Sequence, residues 1–214
     1  ATGADTTIQM YYDYTPSATP SYVPVPTVTN TTSVFDHVSD TNSGDANLAV
    51  NGGGEDGQRI GIEVLAGSDA IGSVIQKISV KLRKNLSPTG SYQVTIRDSG
   101  DSIVATSGNQ DATALTATQT SREYTMDVIR TLQSGDKILV EYNTSSANNF
   151  VQVQFTTATV QTGFERTLFD NVSYANGTAY YPSMSFDSTP VTTTREQSTW
   201  NSNYKAVHHL QGNS

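Results

Sequence analysis

Cysteine is absent from the chain, so neither disulfides nor thiolate chemistry nor cysteine-held metals contribute to it. Long apolar runs are missing too: no stretch approaches the roughly 20 residues a membrane-spanning helix requires. Positive charge is sparse. Lysine and arginine number 12 against 20 aspartates and glutamates, a formal net charge of −8. That balance argues against a nucleic-acid partner, because phosphates demand concentrated basic groups. The single basic run, KISVKLRK from Lys77, alternates its charges with apolar residues. It reads as the solvated face of one strand, with an anionic ligand as the lesser alternative. No segment sustains the 3.6-residue apolar period of a helix.

What the chain has instead is small and hydroxylated. Only 15% of residues are charged, and the polarity comes from Thr, Ser, Asn and Gln, a composition that favours strands and turns. Short alternating runs recur. RIGIEV puts Ile60, Ile62 and Val64 on one face. KISVKLR puts Ile78, Val80 and Leu82 inward, with Lys77, Ser79, Lys81 and Arg83 outward. YQVTIR aligns Tyr92, Val94 and Ile96, KILVEY aligns Ile138, Val140 and Tyr142, and FVQVQF follows from Phe150. Period-two alternation over five to seven residues predicts half-buried antiparallel strands. The links carry turn chemistry: LSPTGSY, LQSGDK with Gly135, and RDSGDS, where Gly100 is expected to supply the permissive backbone of a hairpin. DVIRTL reads either as one helical turn or as the end of a strand. The expected fold is all-β, an antiparallel sandwich or barrel.

This body runs over residues 33–186, between an N-terminal arm (1–32) and a polar C-terminal tail (187–214). Four prolines, Pro16, Pro20, Pro24 and Pro26, keep both helix and central strand out of the arm's second part. Residues 15–32 are therefore expected to be an extended linker. Ahead of it, TTIQMYYDY (6–14) is the arm's one strand-like run, with Ile8, Met10 and Tyr12 alternating against Gln9, Tyr11 and Asp13. An internal echo is also present. SVFDHVSD begins at Ser33 and TLFDNVSY at Thr167, a coincidence of composition or, alternatively, two equivalent edge strands or the start of a second, incomplete repeat.

The stretch IGSVIQKISVKLRKNLSPTGSYQVTIRDSGDSIVATSG, with LQSGDKILVEYNTSSANNFVQVQF, resembles a jelly-roll domain family. That family recurs in secreted and cell-surface proteins of archaea and bacteria, often as an accessory or carbohydrate-binding-like module. The resemblance lies in the lysine-bearing strand before Ser-Pro-Thr-Gly, the VTIRDSGDSIVATS hairpin and the Gly-Asp-Lys-Ile that opens a late strand. It spans about residues 34–155, with Phe35-Asp36 near the usual start. It implies a jelly-roll-like β-sandwich and transfers no catalytic residues.

Candidate chemistry is thin. His37, His208 and His209 lack a nucleophile in a recognisable elbow, and G-x-S-x-G is absent. Adjacent His208 and His209 would point to opposite faces of a strand. Glu63, Glu141 and Glu165 are the carboxylates that paired acid–base work would need, although acidic residues on strand faces are common. DHVSDTNSGD offers Asp36, Asp40, Asn42 and Asp45 as oxygen donors for a structural calcium ion, against the plainer reading of an Asx-rich turn. NGGGEDG (51–57) lacks the lysine of a phosphate loop and reads as a connection. Tyr180, Tyr181, Trp200 and Tyr204 are candidates for stacking on glycans or for anchoring the extensions.

Five N-x-S/T sequons, at Asn30, Asn85, Asn143, Asn171 and Asn176, and a first residue that is Ala1 rather than Met fit a processed, extracellular glycoprotein. No enzyme activity and no cofactor are expected beyond that candidate calcium. The leading expectation is a structural subunit of a self-assembling surface filament or layer. Its partners would be copies of itself, held by donation of residues 6–14 to a neighbour's open sheet edge. The alternative is a carbohydrate-binding or adhesive module of a secreted protein.

Overall fold

The computed structural model describes residues 27–28, 32–38, 42–48, 58–142, 144, 149–157, 161–170, 172–177, 180–188 and 191–192. Ile8, Met10, Tyr12, Asn30, Asp40, Asn143, Asn171, Trp200, Tyr204, His208, His209 and residues 51–57 lie outside them. Nearly all described residues belong to one compact unit, Val28–Thr192. Its elements are strands. In chain order they begin with β1 (Thr27–Val28), β2 (Thr32–Asp36), β3 (Asn42–Leu48), β4 (Arg59–Val64), β5 (Val74–Asn85) and β6 (Ser91–Arg97). β7 (Ile103–Thr106), β8 (Gln110–Asp111), β9 (Thr120–Thr131), β10 (Lys137–Tyr142) and β11 (Phe150–Thr156) follow. The last are β12 (Phe164–Phe169), β13 (Tyr174–Gly177), β14 (Tyr181–Pro182), β15 (Met184–Ser188) and β16 (Val191–Thr192). The only helical turn among the described residues is the 3₁₀ turn Ala112–Ala114. DVIRTL resolves as strand, its first five residues closing β9.

Two antiparallel sheets enclose one core, so the all-β sandwich is what the chain forms. The first, built around β10, runs β13-β12-β4-β10-β6-β7, with β8 also on β6. The second is built around β5, which pairs with β9 along one side and with β11 and β15 along the other. The predicted inward residues meet between the sheets: Ile60, Ile62 and Val64 with Ile78, Val80 and Leu82, and Val94 and Ile96 with Ile138, Val140 and Tyr142. Burying each such aliphatic side chain contributes about 1.5–3 kcal/mol. β10 departs from the expected half-burial, because all six of its residues are buried. It is hydrogen-bonded on both sides, and its outer face is roofed by long side chains of its neighbours.

One sequence expectation is corrected here, and one alternative falls away. In the RDSGDS hairpin the left-handed position belongs to Asp101 (φ 67°), not to Gly100. An aspartate tolerates that conformation, and its carboxylate is held there by Arg59 and Tyr174. The two Phe-Asp echoes are not equivalent edge strands. Phe35 is fully buried in the core, on a strand that ends its sheet. Phe169 faces outward from β12, which lies between β13 and β4.

The β5 sheet is forked. At one end its order is β3-β11-β5-β9; at the other it is β2-β15-β5-β9. The strand pair β14–β15 enters where β11 and β5 part, and Ser183 sits at the junction, fully buried. Its N–H donates to Gln154 O of β11 (2.7 Å) and its carbonyl accepts from Lys81 N of β5 (2.9 Å). Its hydroxyl donates to His37 O (2.9 Å) just past β2. The His37 N–H in turn donates to Met184 O (2.9 Å), and this sets the phase of the β2–β15 ladder. At Val34 the register slips by one residue, a β-bulge; Phe35 and His37 face β15, and Asp36 between them turns its backbone groups to the other side. Among the described residues no strand pairs there.

Replacing Ser183 by Ala keeps both backbone bonds of the junction and leaves the buried His37 carbonyl without its hydroxyl donor. The expected loss is about 2 kcal/mol, read as a lower urea midpoint at unchanged m-value.

Candidate functional site

The outer face of the β10 sheet carries the densest set of interacting polar side chains, and strand register arranges it in three transverse rows. One row is Arg97, Lys137, Glu63 and Glu165; the middle row is Thr95, Leu139, Gly61, Thr167 and Asn176; the third is Gln93, Glu141, Arg59, Phe169 and Tyr174. Gly61 is required at the centre. A Cβ built there would overlap the Ile138 carbonyl oxygen and come within 2.9 Å of Leu139 Cα. Leu139, fully buried, lies on this face and is not part of the core between the sheets.

Glu141 is the hub, 2% exposed. Its Oε1 accepts from Thr95 Oγ1 and Arg97 Nε, both at 2.6 Å. Its Oε2 accepts from Gln93 Nε2 and Arg97 Nη2, both at 3.2 Å, with Arg59 Nε 3.9 Å away. Burial pushes the carboxyl upward, but the hydrogen bonds from Arg97 and Thr95 and the charges of Arg97 and Arg59 outweigh it and hold its pKa below the ordinary value. With both oxygens engaged and its charge favoured, Glu141 is built to remain an anion, not to deliver a proton.

A second centre forms on the hairpin tip. Asp101 accepts from Arg59 Nη1 (3.0 Å) and from the Tyr174 hydroxyl (2.5 Å), and Arg97 Nη1 donates to its carbonyl (2.6 Å). Burial works against its charge too, yet these bonds and the two arginines keep its pKa low. Tyr174 is pushed up to about 12 by burial and by its bond to Asp101. Arg59 lies 4.3 Å from the centroid of Phe169, and Lys137 Nζ 5.2 Å from that of Tyr174, so cations stack on both rings.

At the opposite border Glu63 and Glu165 stand directly opposite each other on neighbouring strands. Like charges so placed repel. The Asn176 side-chain amide bridges them, donating to Glu165 Oε1 (2.6 Å) and Glu63 Oε2 (3.2 Å). The structure therefore brings two of the three predicted carboxylates together and sets Glu141 apart in its own network. Asn176, predicted as a glycan acceptor, has its amide nitrogen in this bridge. Asn85 is the last residue of β5, ahead of exposed Leu86.

The other predicted residues are dispersed. Asp36 accepts from Val38 N (3.4 Å) at the end of β2, and Asn42 opens β3. Asp45 gives one oxygen to Arg83 and the other to Gln119, both at 2.5 Å. No group of three or more His, Cys, Asp or Glu side chains suited to a metal occurs among the described residues. Tyr180 is half exposed. Tyr181 is a core residue, stacked on His37 (5.6 Å between centroids) and donating to Phe164 O (3.0 Å), so its ring faces no solvent on which a sugar could lie. The basic run forms a strand face in which Lys77 pairs with Glu123 and Arg83 with Asp45. Sequence reasoning missed Arg59, Thr95, Arg97, Asp101 and Tyr174. The first three occupy outward positions of predicted strands, the one signal they carried.

The chain is thus an antiparallel β-sandwich with a charge-compensated outer face. No protein family, no characterised protein and no solved structure matches it.

Glu141→Gln removes the counter-charge of two part-buried arginines and is expected to cost about 3 kcal/mol at pH 7. Because the folded pKa lies below that of an unfolded glutamate, about 4.3, this stabilisation is complete above that pH. It disappears as pH falls through the lower folded value. Urea midpoints at pH 7 and pH 3 should therefore differ less in the variant than in the natural chain.

Proposed function

We propose that the protein is a non-enzymatic extracellular structural protein, a subunit of a surface filament or layer in which copies hold one another by a donated N-terminal strand. The observation that carries this reading is the edge of β2, with which no strand pairs among the described residues. It lies just after a segment whose one alternating run, residues 6–14, has the pattern of a strand in search of a partner. The proline-bearing stretch between them suits an extended tether, because its stiffness limits the entropy lost on ordering. The sequons agree with an extracellular, glycosylated chain. The resemblance to jelly-roll surface modules speaks for the alternative reading, a carbohydrate-binding or adhesive module.

The expected outcome is filaments or sheets of the natural chain in negative-stain electron microscopy. The full-length triple variant Ile8→Asp, Met10→Asp, Tyr12→Asp should run as a 22.9 kDa monomer in size-exclusion light scattering. A monomeric natural chain would sink the proposal.

A second reading, a carbohydrate-binding or adhesive module, draws on the outer face described above. Phe169 and Tyr174 lie beside charged groups of both signs there, and Tyr180 is half exposed elsewhere. Retention of the chain on a glycan array, lost in Tyr174→Ala, would favour it.

A further inference from the structure

The geometry points to the β2 edge, with the cleft beside it, as the acceptor for residues 6–14 of a second copy. This inference deepens the donated-strand reading and rests on it. The cleft, about 610 Å³, opens at the side of the sandwich. Ser33 and Val34 of β2 form one wall. Ser68, Asp69 and Ala70, in the turn after β4, face them, and Phe164 contributes an apolar group from the core.

Backbone and side chains fit such an occupant separately. Asp36 turns its N–H and C=O away from β15, as a further strand needs, and Val34, at a bulge in the ladder, turns its carbonyl towards Gln161. Gln161 Nε2 donates to Val34 O at 2.6 Å. A side-chain amide thus stands where the backbone N–H of an added strand would donate, and it can swing away when one arrives. An added strand presents alternate residues to the two faces. Ile8, Met10 and Tyr12 would then enter the cleft beside Val34, Ala70 and Phe164. Gln9 and Tyr11 would lie outside with exposed Asp36.

Residues 15–26, with four prolines, separate the run from β1. In a polyproline conformation they would extend about 37 Å, a length that lets the run reach the edge of a second copy.

The chain has no cysteine, so engineered disulfides report the contact directly. Two full-length double variants, Gln9→Cys with Asp36→Cys and Tyr11→Cys with Asp36→Cys, are assembled and then oxidised. In at least one of them a ladder of disulfide-linked multimers is expected on a non-reducing gel. A control pair joining Tyr11→Cys to Glu123→Cys, on the opposite edge strand β9, is expected to give none. Filaments without a link to position 36 would overturn this acceptor while leaving strand donation standing. A disulfide closed within single chains would overturn the choice of a second copy. A natural chain that never assembles would instead remove the reading beneath. Gln161→Ala, which takes away the competing donor, is expected to lower the concentration needed for assembly about fivefold. A higher concentration would overturn the place-holder role of Gln161.

Discussion

The hydrogen bonds of Ser183 are the constraint on which the rest of the fold depends. A continuous sheet has no place for a residue bonded to strands on both sides and, through its side chain, to a third segment. Ser183 joins β11, β5 and the end of β2 in one buried residue. Buried backbone groups must find partners, and the parting of β11 from β5 would leave several without. The entry of β14 and β15 satisfies them. Its consequence is positional: β2 is added at the outer side of β15, becomes the end of its sheet, and opens onto the cleft.

The charged face of the other sheet follows a different logic. Glu141 and Asp101 take up the charge of Arg59 and Arg97, while Asn176 separates Glu63 from Glu165. Glu141, 2% exposed, is shielded from water by its partners, so loss of one of them costs more than the pair contributes, whereas Asp101 is 39% exposed. The network roofs β10 and ties the hairpin tip at Asp101 to β13 through Tyr174.

Strand identity was legible in the sequence because alternation is a local property. A residue and its neighbour two positions away face the same way whatever the tertiary fold. The inward residues of RIGIEV, KISVKLR, YQVTIR and KILVEY, and the turn at Gly135, needed nothing more. The site was legible only as parity: Arg59, Arg97 and Glu141 could be placed on outward faces, but not beside one another. Asp101 carried no such signal, since Gly100 was the obvious residue for the turn. Only the long-range bonds to Arg59 and Tyr174 place an aspartate in the left-handed position.

By itself, then, the sequence determined an all-β chain and the inward set of its central strands. Tertiary structure alone decided which strands are neighbours. Register brought Glu63 to Glu165, buried both faces of β10, turned Phe35 inward and Phe169 outward, and drew Tyr181 into the core. The physical reason is that a strand's backbone can pair with any other of suitable length. The choice is made by the whole core packing at once, and no local pattern records it.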